Sequence, residues 1–219
     1  MQVQEESILS STEKFVKETL NNAEGGHDWW HIYRVWKLAL RIAKEENANL
    51  LVVQLAALLH DIADSKFHDG DEELGPRLAG NFLNKMQVDT QVIKHVDAII
   101  RNMSFHKTFE KKKFNSLELQ VVQDADRLDA IGAIGIARTF NYGGHKNFPI
   151  YDPHIKPETH QTKEAYKNSK APTINHFYEK LFLLKEMMNT PTGKILAEGR
   201  HQYMEDYIVR FMKEWDGEV

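Results

Sequence analysis

An imidazole and a carboxylate, His60 and Asp61, close the most apolar run of the chain, Leu50-Leu51-Val52-Val53-Gln54-Leu55-Ala56-Ala57-Leu58-Leu59. A helix that is apolar on nearly every side belongs in a protein interior. Polar and charged groups at its buried end cost roughly several kcal/mol unless something binds them. A divalent cation is the usual solution. Two further candidate ligands, His31 and Asp126, stand far away in the sequence, each on a helix of its own. Adjacent residues on a helix point about 100° apart, so a cation beside the helix can be reached by both His60 and Asp61. Imidazole and carboxylate donors suit one divalent ion from the set Mn, Mg, Co, Ni, Fe or Zn. Four protein ligands on a six-coordinate ion leave places for water and a substrate oxygen, and an open site is the mark of catalysis rather than structure.

The elements that must position these residues are helical by periodicity. Ser10 with Glu13 reads as a capping box that opens a first helix to about Leu20. After Gly25-Gly26 a second helix carries His27 to about Glu46, and Asn47 and Asn49 separate it from the apolar third, which ends near Ile62. A polar loop from Asp64 to Asp71 comes next. A fourth helix spans Glu72 to Met86, with Pro76 tolerated only in its first turn. Asp89 caps a fifth, which ends near Asn102, and Ser116 starts a long sixth that runs to about Phe140. The stretch 141–173 holds four of the six prolines and is too long for an idle connector, so it is expected to cover a site. Two last helices are predicted over Ile174 to Asn189 and Thr192 to Trp215. Strand signals are nearly absent, and nothing reads as a linker between two cores. The expectation is a single all-α domain over 1–219, with its core at about 15–215.

Composition narrows the function classes. Apolar residues make up 42% of 219, enough for a sizeable core, and charged residues make up an ordinary 27%. A net charge of −4 argues against a nucleic-acid coat or a polybasic membrane binder. The absence of cysteine removes thiolate metal sites and disulfides and fits a reducing cytoplasm. No basic region precedes an apolar stretch at the start, and the longest apolar run is too short to span a bilayer. A cytoplasmic protein is therefore expected, with no membrane partner and a homo-oligomer allowed.

His60-Asp61 alone is a weak signal. It becomes strong beside His31-Ile32-Tyr33-Arg34-Val35 upstream and Ala125-Asp126-Arg127-Leu128 downstream. With His27-Asp28-Trp29-Trp30-His31, Gln123 to Gly132, Tyr142-Gly143-Gly144 and Tyr151-Asp152-Pro153, these segments make the chain resemble the HD-domain superfamily of metal-dependent phosphohydrolases. The likeness is greatest to the small bacterial subgroup typified by YedJ and YpgQ, and it runs from about residue 15 to beyond residue 200. The resemblance implies a helical bundle with a central metal site. It carries the four family ligands onto His31, His60, Asp61 and Asp126. Asp124 and Asp129 compete with Asp126 on the same helix, and the match to A-D-R-L favours Asp126. Where many HD enzymes have a Glu three residues after the HD aspartate, this chain has Asp64, the expected catalytic group.

The implied reaction is attack of metal-activated water on phosphorus, in the subgroup as cleavage of nucleoside triphosphates to a monophosphate and pyrophosphate. Asp64 would orient that water or take its proton. Arg34, one turn from His31, is the first candidate for neutralising phosphate charge. It could instead pair with a buried carboxylate. Lys66, His68, Arg127, Arg138 and Lys146 are further candidates. Trp29 and Trp30 could stack on a base, although large aromatics at a helix start more often pack at the core or rim. The expected partner is a small nucleotide or phosphate ester. Two rivals are a phosphomonoesterase acting on nucleoside monophosphates or other small esters, and a nucleotide- or metal-sensing module without chemistry.

Overall fold

A computed structural model describes residues 2–21, 28–63, 71, 73–103, 114–158 and 171–219. The described residues are helical and contain no strand. They fall into two compact units, Met1–Asp126 and Arg127–Val219, and the division lies inside one helix.

The first unit is built around its most apolar helix. The elements are α1 (Gln2–Thr19), α2 (Trp29–Glu45), α3 (Leu50–Leu59), α4 (Leu74–Lys85), α5 (Thr90–Asn102) and most of α6 (Leu117–Asp129). Helix α3 is packed by α1, α2 and α5, and α4 packs on α5. Seven of the ten α3 residues are buried, so none of its faces is left for solvent alone. Three side chains cap the starts of these helices. Asn49 caps α3 through the Val52 N–H at 3.1 Å, Asp89 caps α5 through the Gln91 N–H at 2.8 Å, and Asp28 caps α2 through the His31 N–H at 2.9 Å. Pro76 sits in the first turn of α4, where its missing N–H costs nothing. Three helices end alike. Asn47, Gln87 and Asn147 take left-handed φ of 57°, 56° and 55°, and the next residue donates its N–H back to the last helical turn.

The first helix begins at Gln2, not at Ser10. Ile8, Thr12 and Val16 form a buried stripe that runs through the expected start, and burial overrides the capping box. Thr12 satisfies its hydroxyl within the helix by donating to the Ile8 carbonyl at 2.7 Å. Helix α3 stops at Leu59, so His60 and Asp61 stand in the turn just beyond it.

The second unit holds the tail of α6, α7 (Gly132–His145), α8 (Asn175–Glu179), the 3-10 segment Leu181–Met187 and α9 (Pro191–Trp215). The sixth helix expected from Ser116 to Phe140 is two helices. Gly132 takes φ of +77°, which no helix interior allows, and a Cβ there would lie 3.0 Å from Arg200 Cγ. Arg200 in turn donates to the Leu128 carbonyl across this break. Helix α7 also takes residues 141–145 from the expected loop. Beyond α7 two backbone bonds pin the chain, from Thr173 to Pro149 at 2.8 Å and from Ile174 to Ile150 at 3.0 Å. Residues 159–170 of that stretch lie outside the described residues. The segment expected as one helix over Ile174 to Asn189 breaks at Lys180, whose φ of −144° is not helical, and continues as the 3-10 segment. Phe140, Phe177, Tyr207, Phe211, Tyr151 and Trp215 form a continuous chain of aromatic contacts from the buried Phe177 to the exposed Trp215, with ring centroids 5.0 to 6.4 Å apart.

Two groups in this unit make its stability measurable. Asp129 is 1% exposed and is held by Arg138 at 2.5 Å. Arg138→Met leaves a buried carboxylate without this partner and is expected to cost about 3 kcal/mol in urea unfolding, most of it recovered in Arg138→Met with Asp129→Leu. Burial and the neighbouring Lys180 push His176 down to about 4. The fold therefore keeps its stability above the unfolded value of about 6.5 and loses it as pH falls from there toward 4. Between pH 7 and pH 5 the loss from this group is about 2 kcal/mol. Unfolding midpoints at the two pH values should converge in His176→Gln.

Candidate metal centre

Three helices of the first unit each bring one polar side chain to a common point. Ligand atoms of His31, His60 and Asp126 all lie within 4.8 Å of one another. His31 Nε2 stands 3.5 Å from Asp126 Oδ1, and the two imidazole rings meet edge-on at 5.6 Å.

Each side chain is placed by a local device. His31 lies in the first turn of α2, and the Asp28 cap holds its backbone N–H. The ring is 2% exposed, at the buried face of a helix whose other inward residues are Ile32, Val35, Ala39 and Ile42. His60 comes directly after α3, and its Nδ1–H donates to the Ala57 carbonyl at 2.9 Å. A carbonyl can only accept, so this bond selects the tautomer with a free Nε2 lone pair. Asp126 lies on α6, and its side chain is 43% exposed. Tethers hold these helices in register. Trp36 Nε1 donates to Gln54 Oε1 between α2 and α3, the Asn49 N–H donates to Glu118 between α3 and α6, and Gln123 Nε2 donates to the Asn102 carbonyl between α5 and α6.

The donor set fits a divalent ion. Bonds of about 2.1 Å put neighbouring ligands about 3 Å apart and opposite ones about 4 Å apart, within the span that these atoms keep. Two imidazole nitrogens and one carboxylate oxygen suit a borderline metal, and HD domains bind divalent metals. The carboxylate would also neutralise part of such an ion's charge.

The other sequence candidates fall in several places. Asp61 is half-buried in the turn after His60 and is not among the three converging groups. Asp64, Lys66 and His68 lie outside the described residues. Arg34 is half-buried on α2. In the second unit Arg127 donates to the Met187 carbonyl at 2.8 Å, Arg138 pairs with Asp129, and Lys146 caps α7 at the surface with its ammonium 5.7 Å from the Tyr142 ring. Of the three α6 aspartates, only Asp126 is grouped with His31 and His60. Asp124 is fully buried and Asp129 serves Arg138. The positioning roles of Asp28 and of the Ala57 carbonyl were missed from sequence. Asp28 was within reach, because an Asp three residues before the first inward His is a helix-start signal.

Comparison with known proteins shows the family. The HD domain family model matches residues 29–131, the stretch that contains all three converging ligands. The uncharacterized protein YpgQ of Bacillus subtilis is 38% identical over 208 residues, covering 93% of this chain and 91% of that one. An HD-superfamily hydrolase from Bacillus thuringiensis has a crystal structure with a TM-score of 0.79 at 44% identity, over 97% of this chain and 98% of that one. YpgQ has been solved in complex with ADP, with a TM-score of 0.77 at 36% identity and 96% of each chain covered. The chain belongs to the HD-domain superfamily, in its YpgQ-like branch, and is a metal-dependent phosphohydrolase.

Proposed function

We propose that this phosphohydrolase acts on nucleotides and cleaves a nucleoside triphosphate to the monophosphate and pyrophosphate. The observation that carries the reading is the convergence of His31, His60 and Asp126 from three separate helices. The ADP complex of the relative YpgQ supports a nucleotide as the substrate class.

His31, His60 and Asp126 would hold one divalent ion, with Asp61 as the fourth ligand. The chemistry such an ion supplies is a bound water of lowered pKa and a polarised phosphoryl oxygen. The chain does the rest. The Ala57 carbonyl keeps the His60 ring in one tautomer and orientation, and the Asp28 cap fixes where His31 begins. Asp64 would orient the attacking water or accept its proton. Hydrolysis would form a bond from water oxygen to the α-phosphorus and break the bond from that phosphorus to the oxygen bridging it to the β-phosphorus, with the proton passing to Asp64 and pyrophosphate leaving. Arg34 would neutralise phosphate charge, with Lys66 and His68 as further cationic groups. Phosphoryl transfer needs such positioning and charge neutralisation more than covalent help.

Two measurements test the reading. Asp126→Asn and His31→Gln should each weaken metal binding at least about tenfold, read by calorimetry with Mn or Co, while the helical circular dichroism stays. A nucleotide panel with Mn, Mg, Co and Ni should release pyrophosphate and monophosphate in equal amounts. Release of orthophosphate instead would move the assignment to a phosphomonoesterase. Binding without turnover under every metal would leave a sensing module.

A further inference from the structure

We propose that the exposed indole of Trp30 is the platform for the base of the nucleotide, an inference that rests on the nucleotide reading of the metal centre. Trp30 stands one residue before His31 in the first turn of α2 and is 60% exposed. That is the largest exposure of the four tryptophans, and the other three have other work. Trp29 lies under Lys17 at 4.5 Å. Trp36 lies under Lys37 at 4.2 Å and gives its N–H to Gln54. Trp215 stacks on Phe211 and meets Tyr151 edge-on. Among the described residues the ring partner of Trp30 is Tyr33, at 5.9 Å and 79°, and an edge-to-face contact engages at most one side of the indole. Tyr33 is itself held by Trp29, Trp36 and Lys37, so this support is fixed before any ligand arrives.

Helix geometry sets Trp30 where a base would be. Counting about 100° per residue, Arg34 is turned about 60° from His31, and Trp30 about 100° in the same sense. Burial falls along the same arc, from the enclosed His31 through the half-buried Arg34 to the solvent-facing Trp30. A nucleotide has the matching order: phosphates that need metal and cation, then a planar ring that needs an aromatic face. Tyr33 points away from His31 by about 160°, so it supports the platform rather than forming it. Every base offers a π-face to an indole, so the platform favours a nucleotide over a bare polyphosphate and discriminates weakly among bases.

The test compares ATP with tripolyphosphate, which has the phosphates and no base. In Trp30→Leu the ratio of kcat/KM for ATP to that for tripolyphosphate should fall about tenfold, and Trp30→Phe should recover most of it. Quenching of tryptophan fluorescence by ADP, excited at the red edge, should vanish in Trp30→Leu and persist in Trp215→Phe. An unchanged ratio with quenching kept in Trp30→Leu overturns the platform. If the wild-type protein turns over neither compound, the triphosphate reading fails, and the quenching experiment alone decides the role of Trp30.

Discussion

The end of α3 is the constraint on which the centre depends. Ten residues with no charge among them are enclosed by α1, α2 and α5, and the chain must leave that enclosure through a histidine. An imidazole at such a point has two nitrogens to satisfy. The Ala57 carbonyl takes one, inside the helix's own last turn. The other is left with a free lone pair, on a ring that shares its site with His31 and Asp126. Hydrophobic packing therefore fixes the position of His60, and one backbone hydrogen bond fixes its chemical form.

The rest of the first unit delivers its two other ligands to that point. His31 is set by a cap at the helix start, where an unsatisfied N–H meets the Asp28 carboxylate, and by the apolar stripe that turns its face inward. Asp126 depends on a longer chain of contacts. Glu118 ties α6 to the start of α3 and Gln123 ties it to the end of α5, so the carboxylate is located by both ends of neighbouring helices. Few of these bonds carry much net stability singly. Their value lies in geometry, because a ligand displaced by an ångström no longer shares the ion.

The second unit is held by a different logic. Its buried side chains, Leu128, Ile131, Ile174, Leu181 and Met204 among them, are aliphatic, and a run of aromatic rings extends from the buried Phe177 toward the surface at Trp215. Gly143 lets α7 approach Thr173 so closely that a Cβ would lie 2.2 Å from the hydroxyl oxygen. Arg127, Arg138 and Arg200 are all used to hold carbonyls or a carboxylate within the unit. Cationic residues that looked from sequence like phosphate contacts therefore have structural partners as well.

The sequence by itself determined the helical class, the N-terminal caps at Asn49 and Asp89, the place of Pro76 and the three residues that meet at the centre. Each of these is written locally, in a 3.6-residue period, a capping side chain or a short motif with a fixed chemical need. Only the tertiary structure decided that α1 starts at Gln2, that the sixth predicted helix breaks at Gly132, and that Asp124 is fully buried while Asp129 pairs with Arg138. Those outcomes rest on burial against distant residues. A stripe is buried only if a partner helix covers it, and a carboxylate becomes a ligand or an ion-pair partner according to what is packed opposite it.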